Sequence, residues 1–374
     1  YDGIDGDDLA VYDLKNGKWY IQSLSGTNIL WNRAWGGKGM APVSVDHTSF
    51  SAYLEIPPSI ERCCVGFLVS NLEGDLSRAA GIGAKFVIPL PGPFSWQWIE
   101  PQKGAFNFQY ADIWVRAVQK ENMAMMATIY PYADWDQRKC KGSCRVTRKH
   151  AFYPAYDAQL GWTGIPASRC SPCITEDYQA FVKKLVDRYN GDGIDDMPGL
   201  VIPIKYYQYI DEPENTADME DKFFVGSSDD YVEGLSANYE AIKSVCPDCM
   251  VSHGGAAGIM QVSKDFWVGV FRAMNDRKVQ PFDIANVHYI NSGFVENLNV
   301  LKFAGWMRGF GIDKPIWVGS AEFDAAADKA GIIAAVSGAR SKGAAKFFFS
   351  NLIKSPYAPE AFRAVAGACG CKNE

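Results

Sequence analysis

The run YYQYIDEPEN (206–215) is apolar and aromatic until it ends in two adjacent carboxylates, Asp211 and Glu212. Like charges this close repel, and burial adds to the cost. A strand that ends this way makes sense at the rim of a pocket where the pair does chemistry. A second apolar run, IWVGSAEFD (316–324), ends in Glu322. Two carboxyl groups facing each other across a cleft can divide a glycosidic displacement. One gives a proton to the leaving oxygen, and the other acts as base or nucleophile.

Such a pair needs a frame that brings distant strand ends together. After residue 60, short apolar runs alternate with stretches of helical period. Strands are predicted at 63–70, 84–92, 123–132, 199–210, 249–255, 282–290, 314–323 and 344–352, each followed by a helix. Alternation of this kind implies parallel strands with right-handed crossovers. Eight such units give a (β/α)8 TIM barrel, whose active site lies at the carboxyl ends of the strands. Asp211 and Glu212 end strand four and Glu322 ends strand seven, on opposite sides of the mouth. A doubly wound open sheet is the rival, but no G-x-G-x-x-G follows the first strand.

The order of motifs resembles clan A of the retaining glycoside hydrolases. There the acid/base follows strand four in an N-E-P motif, and the nucleophile glutamate follows strand seven. The stretch FSWQWIEPQKGAFNFQYADIWVRAVQKENMAMMATIYP (94–131) is similar to the clan's W…EP…G.F.F…D segment. NVHYI (286–290) resembles its H-x-Y after strand six. The resemblance covers residues 60–368 and implies Glu212 as acid/base and Glu322 as nucleophile. It further implies Tyr289 hydrogen-bonded to the nucleophile, with His288 lining the same wall. Trp96, Trp98 and Trp135 are candidates for stacking on sugar, and Asn351 for substrate contact where relatives place a strand-eight Trp. Asp211 stands where the clan has Asn. An ionised acid has no N–H to donate, so it favours a donor such as an amino group at sugar C2, and it leaves open a catalytically inactive carbohydrate-binding barrel.

The implied substrate is a β-linked oligo- or polysaccharide, and the chemistry asks for no cofactor. A net charge of −6 argues against nucleic acid as a partner, and no apolar run approaches bilayer length. The four histidines, His47, His150, His253 and His288, form no H-x-H or H-E-x-x-H pattern, which disfavours a metal-dependent hydrolase. The opening YDGIDGDD reads as an interior or mature start.

Ten cysteines in close pairs point to an oxidising, extracellular setting and to disulfides. Cys63 and Cys64 begin strand one while Cys369 and Cys371 follow helix eight, so a clasp where the barrel closes fits. Cys246 and Cys249 pair best with each other. Cys140, Cys144, Cys170 and Cys173 are disulfide candidates too, or a structural Zn2+ site by their spacing. They lie in a basic, aromatic insertion at 133–174 that overhangs the mouth, where Tyr153, Tyr156 or Trp162 would shape the cleft. Residues 1–50 form a separate Asp/Gly-rich segment with period-two strands, ahead of a 51–374 barrel. It resembles one unit of the calcium-binding DGDG/DLAVY repeats, which makes Asp2, Asp5 and Asp8 candidates for Ca2+.

Overall fold

The computed structural model describes residues 9–13, 18–22, 28–34 and 54–371, less 71, 73, 91, 141–170, 215–223, 291–294, 325 and 351–357. The chain divides into two compact units, Tyr1–Ala52 and Tyr53–Glu374. The first is an antiparallel meander of β1 (Leu9–Asp13), β2 (Lys18–Gln22) and β3 (Asn28–Ala34). Asp2, Asp5 and Asp8 lie outside the described residues.

The second unit holds eight parallel strands: β4 (Val65–Val69), β5 (Phe86–Pro89), β6 (Ala124–Ile129), β7 (Tyr206–Tyr209), β8 (Met250–Ser252), β9 (Ala285–Ile290), β10 (Ile316–Glu322) and β11 (Ala344–Phe349). Their order is β8-β7-β6-β5-β4-β11-β10-β9. The ring closes between β8 and β9, where Asp283 N–H donates to Val251 O at 2.7 Å and Ala256 bridges Val287. This is the (β/α)8 barrel expected from the alternation. The helices are α1 (Pro58–Glu61), α2 (Asp75–Ile82), α3 (Trp96–Ile99), α4 (Gln109–Lys120), α5 (Asp134–Gln137), α6 (Thr175–Asp187), α7 (Ser228–Val245), α8 (Gln261–Arg277), α9 (Val300–Arg308), α10 (Lys329–Ser341) and α11 (Ala358–Ala368). Among the described residues no helix is long and apolar enough to cross a membrane.

The strands are buried on both faces, which is why they read as apolar runs rather than alternating ones. The helices show the opposite economy: α4 buries Tyr110, Ala111, Trp114, Val115 and Val118, one stripe of its surface. Inside the barrel the two ends differ. At the amino ends of the strands Phe86 packs edge-on to Tyr206, Trp317 and Phe348. The Lys346 ammonium sits 3.9 Å over the Phe86 ring and donates to Glu61 O and Cys63 O. That end is a solid floor. Towards the carboxyl ends the interior turns polar, with Gln208, Asn286 and His288 all buried.

Cys63 bonds Cys371 and Cys64 bonds Cys369, so the expected clasp joins the start of β4 to the end of α11. Each closes a loop of about 300 residues, worth about 6 kcal/mol in the chain-entropy account. The gains do not add, because once one bridge closes the long loop the other closes only a few residues. Replacing one pair by alanines therefore shifts the urea midpoint slightly. Replacing both pairs costs about 6 kcal/mol, read from the same unfolding curves.

Candidate active site

The site begins at the turn after β7. Ile210 and Glu212 have φ of 57° and 40°, left-handed values that cost a non-glycine residue about 1–3 kcal/mol each. Such strain persists only where the surroundings over-determine it. Ile210 N–H donates to Ile129 O at 3.0 Å, its carbonyl accepts from Gln208 Nε2 at 3.1 Å, and Pro213 follows with its fixed φ.

A one-way chain of amides crosses the barrel to reach this turn. Gly319 N–H donates to Asn286 Oδ1 (2.9 Å), Asn286 Nδ2 to Gln208 Oε1 (2.6 Å), and Gln208 Nε2 to Asp211 Oδ1 (3.0 Å). A backbone N–H can only donate, so its direction fixes how both side-chain amides are turned. The chain ends on an acceptor, which is what Asp211 supplies.

His288, on β9, ties the carboxylates together. Its Nδ1 lies 2.7 Å from Glu212 Oε1 and its Nε2 3.6 Å from Asp211 Oδ1. It fits because residue 255 is glycine: a Cβ there would stand 1.9 Å from His288 Nε2. Burial opposes charge on His288, but Asp211 and Glu212, with Glu214 beyond, outweigh it and raise its pKa to about 9. Asp211 is raised by burial, with His288 pulling the other way.

His288 therefore stabilises the fold most below its unfolded pKa of 6.5, and the gain is lost as pH rises through about 9. The expected outcome is that the melting temperature of wild type, relative to His288→Asn, falls between pH 6.5 and 9. A flat difference across that window would show that the imidazole carries no extra proton.

Glu322 is aimed by an irregularity. The register of β10 against β9 runs Val318↔Val287, then Ser320↔His288 and Glu322↔Ile290, with Gly319 the extra residue of a bulge. Side chains alternate along a strand and paired residues share a face, so Glu322 joins Ser320 and His288 on the inner face. A Cβ at 319 would meet Asn286 Oδ1 at 2.3 Å. Glu212 and Glu322 are both half-buried, as groups lining an open mouth should be.

Other expected residues sit elsewhere. Tyr289, next to His288, falls on the outer face of β9 by the same alternation, and its ring packs 5.7 Å from Phe323 in the layer between strands and helices. That placement does not turn it towards Glu322. Trp96 is fully buried, stacked on Phe181 with its N–H on Glu100 Oε2, and Trp98 is buried edge-on to Tyr110. Neither offers a face to sugar. Trp135 is half-buried, its N–H on Glu100 O.

The 94–131 motif thus works as scaffold. Glu100 joins Trp96 to Gly104 N–H, and Asp112 holds Arg188 and Tyr189. Asp211, imagined as an acceptor for a sugar amine, already accepts from Gln208 and faces His288.

Cys140 bonds Cys173, and Cys246 bonds Cys249. The first bond removes two thiols from the zinc reading, and Asp136 fastens the same place by accepting from the N–H groups of Cys173 and Ile174. Cys144, Cys170, Tyr153, Tyr156, Trp162 and Asn351 lie outside the described residues. Sequence reasoning missed Gln208, Asn286 and Glu214. The available signal was a polar residue inside an apolar strand, with Asn286 and His288 two apart on one face.

Neither a family profile nor a curated protein matches the sequence. Solved structures do resemble it. A glucosidase from Croceicoccus marinus superposes with a TM-score of 0.57 at 14% identity, over 82% of this chain and 68% of that one. An endo-1,4-β-mannanase from Rhizomucor miehei gives 0.53 at 11% (83% and 95%), and an endo-1,4-β-D-mannanase from Thermotoga petrophila 0.52 at 13% (82% and 99%). At these identities the likeness is one of fold.

Proposed function

We propose that the chain is a retaining β-glycoside hydrolase acting on a β-linked oligo- or polysaccharide, with Glu212 as acid/base and Glu322 as nucleophile. The observation that carries this reading is the delivery of both carboxyls to the barrel mouth. One arrives on a strained turn after β7, the other on a bulged β10. The glucosidase and mannanases that share the fold support it.

In the resting site His288 Nδ1 holds the proton that it donates to Glu212 Oε1 at 2.7 Å. As Glu322 attacks the anomeric carbon, that proton passes through Glu212 to the leaving oxygen and His288 becomes neutral. Water then attacks the glycosyl ester on Glu322, and the proton it loses to Glu212 restores the pair. Trp135 remains the candidate for sugar contact, and no metal takes part. The disulfides fit secretion.

The test is hydrolysis of aryl β-glycosides and of β-glucan, mannan, galactan and xylan, with the anomer first released read by proton NMR. A β-anomer released first supports double displacement. An α-anomer would replace it with single displacement, and inactivity on every substrate would favour the carbohydrate-binding barrel.

A further inference from the structure

Glu214 closes the turn that opens at Ile210, and it is 2% exposed. Its Oε1 accepts the Ala257 N–H at 2.6 Å, from the loop after β8. Its Oε2 meets no hydrogen-bonding partner among the described residues. The Trp267 indole pulls its pKa down against the effect of burial, though no well-formed hydrogen bond joins the two. We propose that Glu214 is the positioning residue of Glu212, its carboxyl clamping the far end of the Ile210–Glu214 turn to the loop after β8 so that Glu212 stays on His288. The inference rests on the reading of Glu212 as acid/base.

The geometry calls for such a clamp. Two left-handed residues within five make the turn uphill, and the near end alone is tied to β6 through Ile129. The far end is held by Ala257, whose loop also places Gly255 beneath His288. Clamp and imidazole seat therefore share one loop.

The charge state suits the task. Burial raises the pKa of Glu214 to about 8, and the nearby Glu212 adds to it against its own N–H, Trp267 and Ala257. Around neutrality the clamp thus adds no third negative charge to Asp211 and Glu212. The other titratable groups around it are His288 from β9, Tyr231 from α7, and His253 after β8, which burial lowers to about 3. When Glu214 ionises, its charge tightens the hold of His288 on the proton that Glu212 must pass on, so turnover falls on the alkaline side.

Wild type, Glu214→Gln and Glu214→Asp are compared on the unactivated β-linked oligosaccharide that wild type cleaves fastest, whose leaving oxygen needs the proton, from pH 4.5 to 10. Glu214→Gln keeps kcat within about threefold near pH 6 and moves the alkaline limb up by about one pH unit. Glu214→Asp, one methylene short of Ala257, loses about tenfold or more in kcat with little change in KM. Unchanged kcat and pH profiles in both variants would overturn the proposal.

Melting temperatures over the same range give a readout that needs no turnover. A raised carboxyl pKa makes wild type lose stability between about pH 4.5 and 8, a slope absent from Glu214→Gln. Loss of activity in wild type itself would count against the assignment of Glu212. The clamp would then be read from Glu214→Asp, one methylene short of the Ala257 N–H: a lower melting temperature than wild type at every pH upholds it, and wild-type melting overturns it.

Discussion

Glu322→Gln is expected to lose on the order of 10^4-fold or more in kcat, because an amide of the same shape cannot form the glycosyl ester. Glu212→Gln is expected to lose about 10^2–10^4-fold, the usual worth of a general acid–base, and its loss depends on the substrate. A nitrophenolate leaves without a proton, so the first step survives on activated aryl glycosides and the second step, which needs a base, becomes limiting. Azide needs no base and restores turnover in Glu212→Ala, giving a glycosyl azide. It cannot restore Glu322→Gln, where the amide still fills the face from which azide would attack the anomeric carbon. Equal losses on poor and activated leaving groups, with no azide product, would remove Glu212 from its role. Survival of Glu322→Gln would do the same for the nucleophile.

Gly255→Ala should be nearly as damaging although it changes no reacting group. The new Cβ would fall 1.9 Å from His288 Nε2, far inside contact distance, so the ring or the loop must move. Forcing one methyl into a packed site costs about 1–3 kcal/mol of stability. Displacing the imidazole breaks its 2.7 Å contact with Glu212. A shift of about 1 Å at a reacting group costs roughly 10^2-fold in rate. The double variant Gly255→Ala/His288→Ala separates this cause from general damage. If the methyl acts by pushing His288 aside, the double variant is no slower than His288→Ala alone, a strongly non-additive pair. Additive losses would mean that Gly255 matters for its loop and not for the ring.

Much of this arrangement was legible in the sequence, for identifiable reasons. The eight strands stood out because parallel strands covered on both faces are uniformly apolar, while helices such as α4 bury a single stripe. Asp211, Glu212 and Glu322 stood out because charge at the end of an apolar run is costly without a purpose. Tyr289, beside His288, shows what the sequence does not reveal. Neighbours on a strand face opposite ways, and only a register tells which one faces inward.

The bulge at Gly319 decides the same question for Glu322, and no spacing rule announces a bulge. Trp96 and Trp98 look like sugar platforms by residue type, yet their surroundings make them core. Glu214 is polar in a charged stretch, and its burial follows from packing against α7, α8 and the loop after β8, contacts far apart in sequence.

The paired bridges at the ends of the barrel have a topological result. With Cys63 joined to Cys371 and Cys64 to Cys369, the polypeptide between them is a covalent ring. A protease that cuts it once, anywhere between 64 and 369, opens the ring without producing a fragment. The nicked molecule runs as a single species on a non-reducing gel and as two pieces only after reduction, so the order of nicking and reduction maps the vulnerable loops.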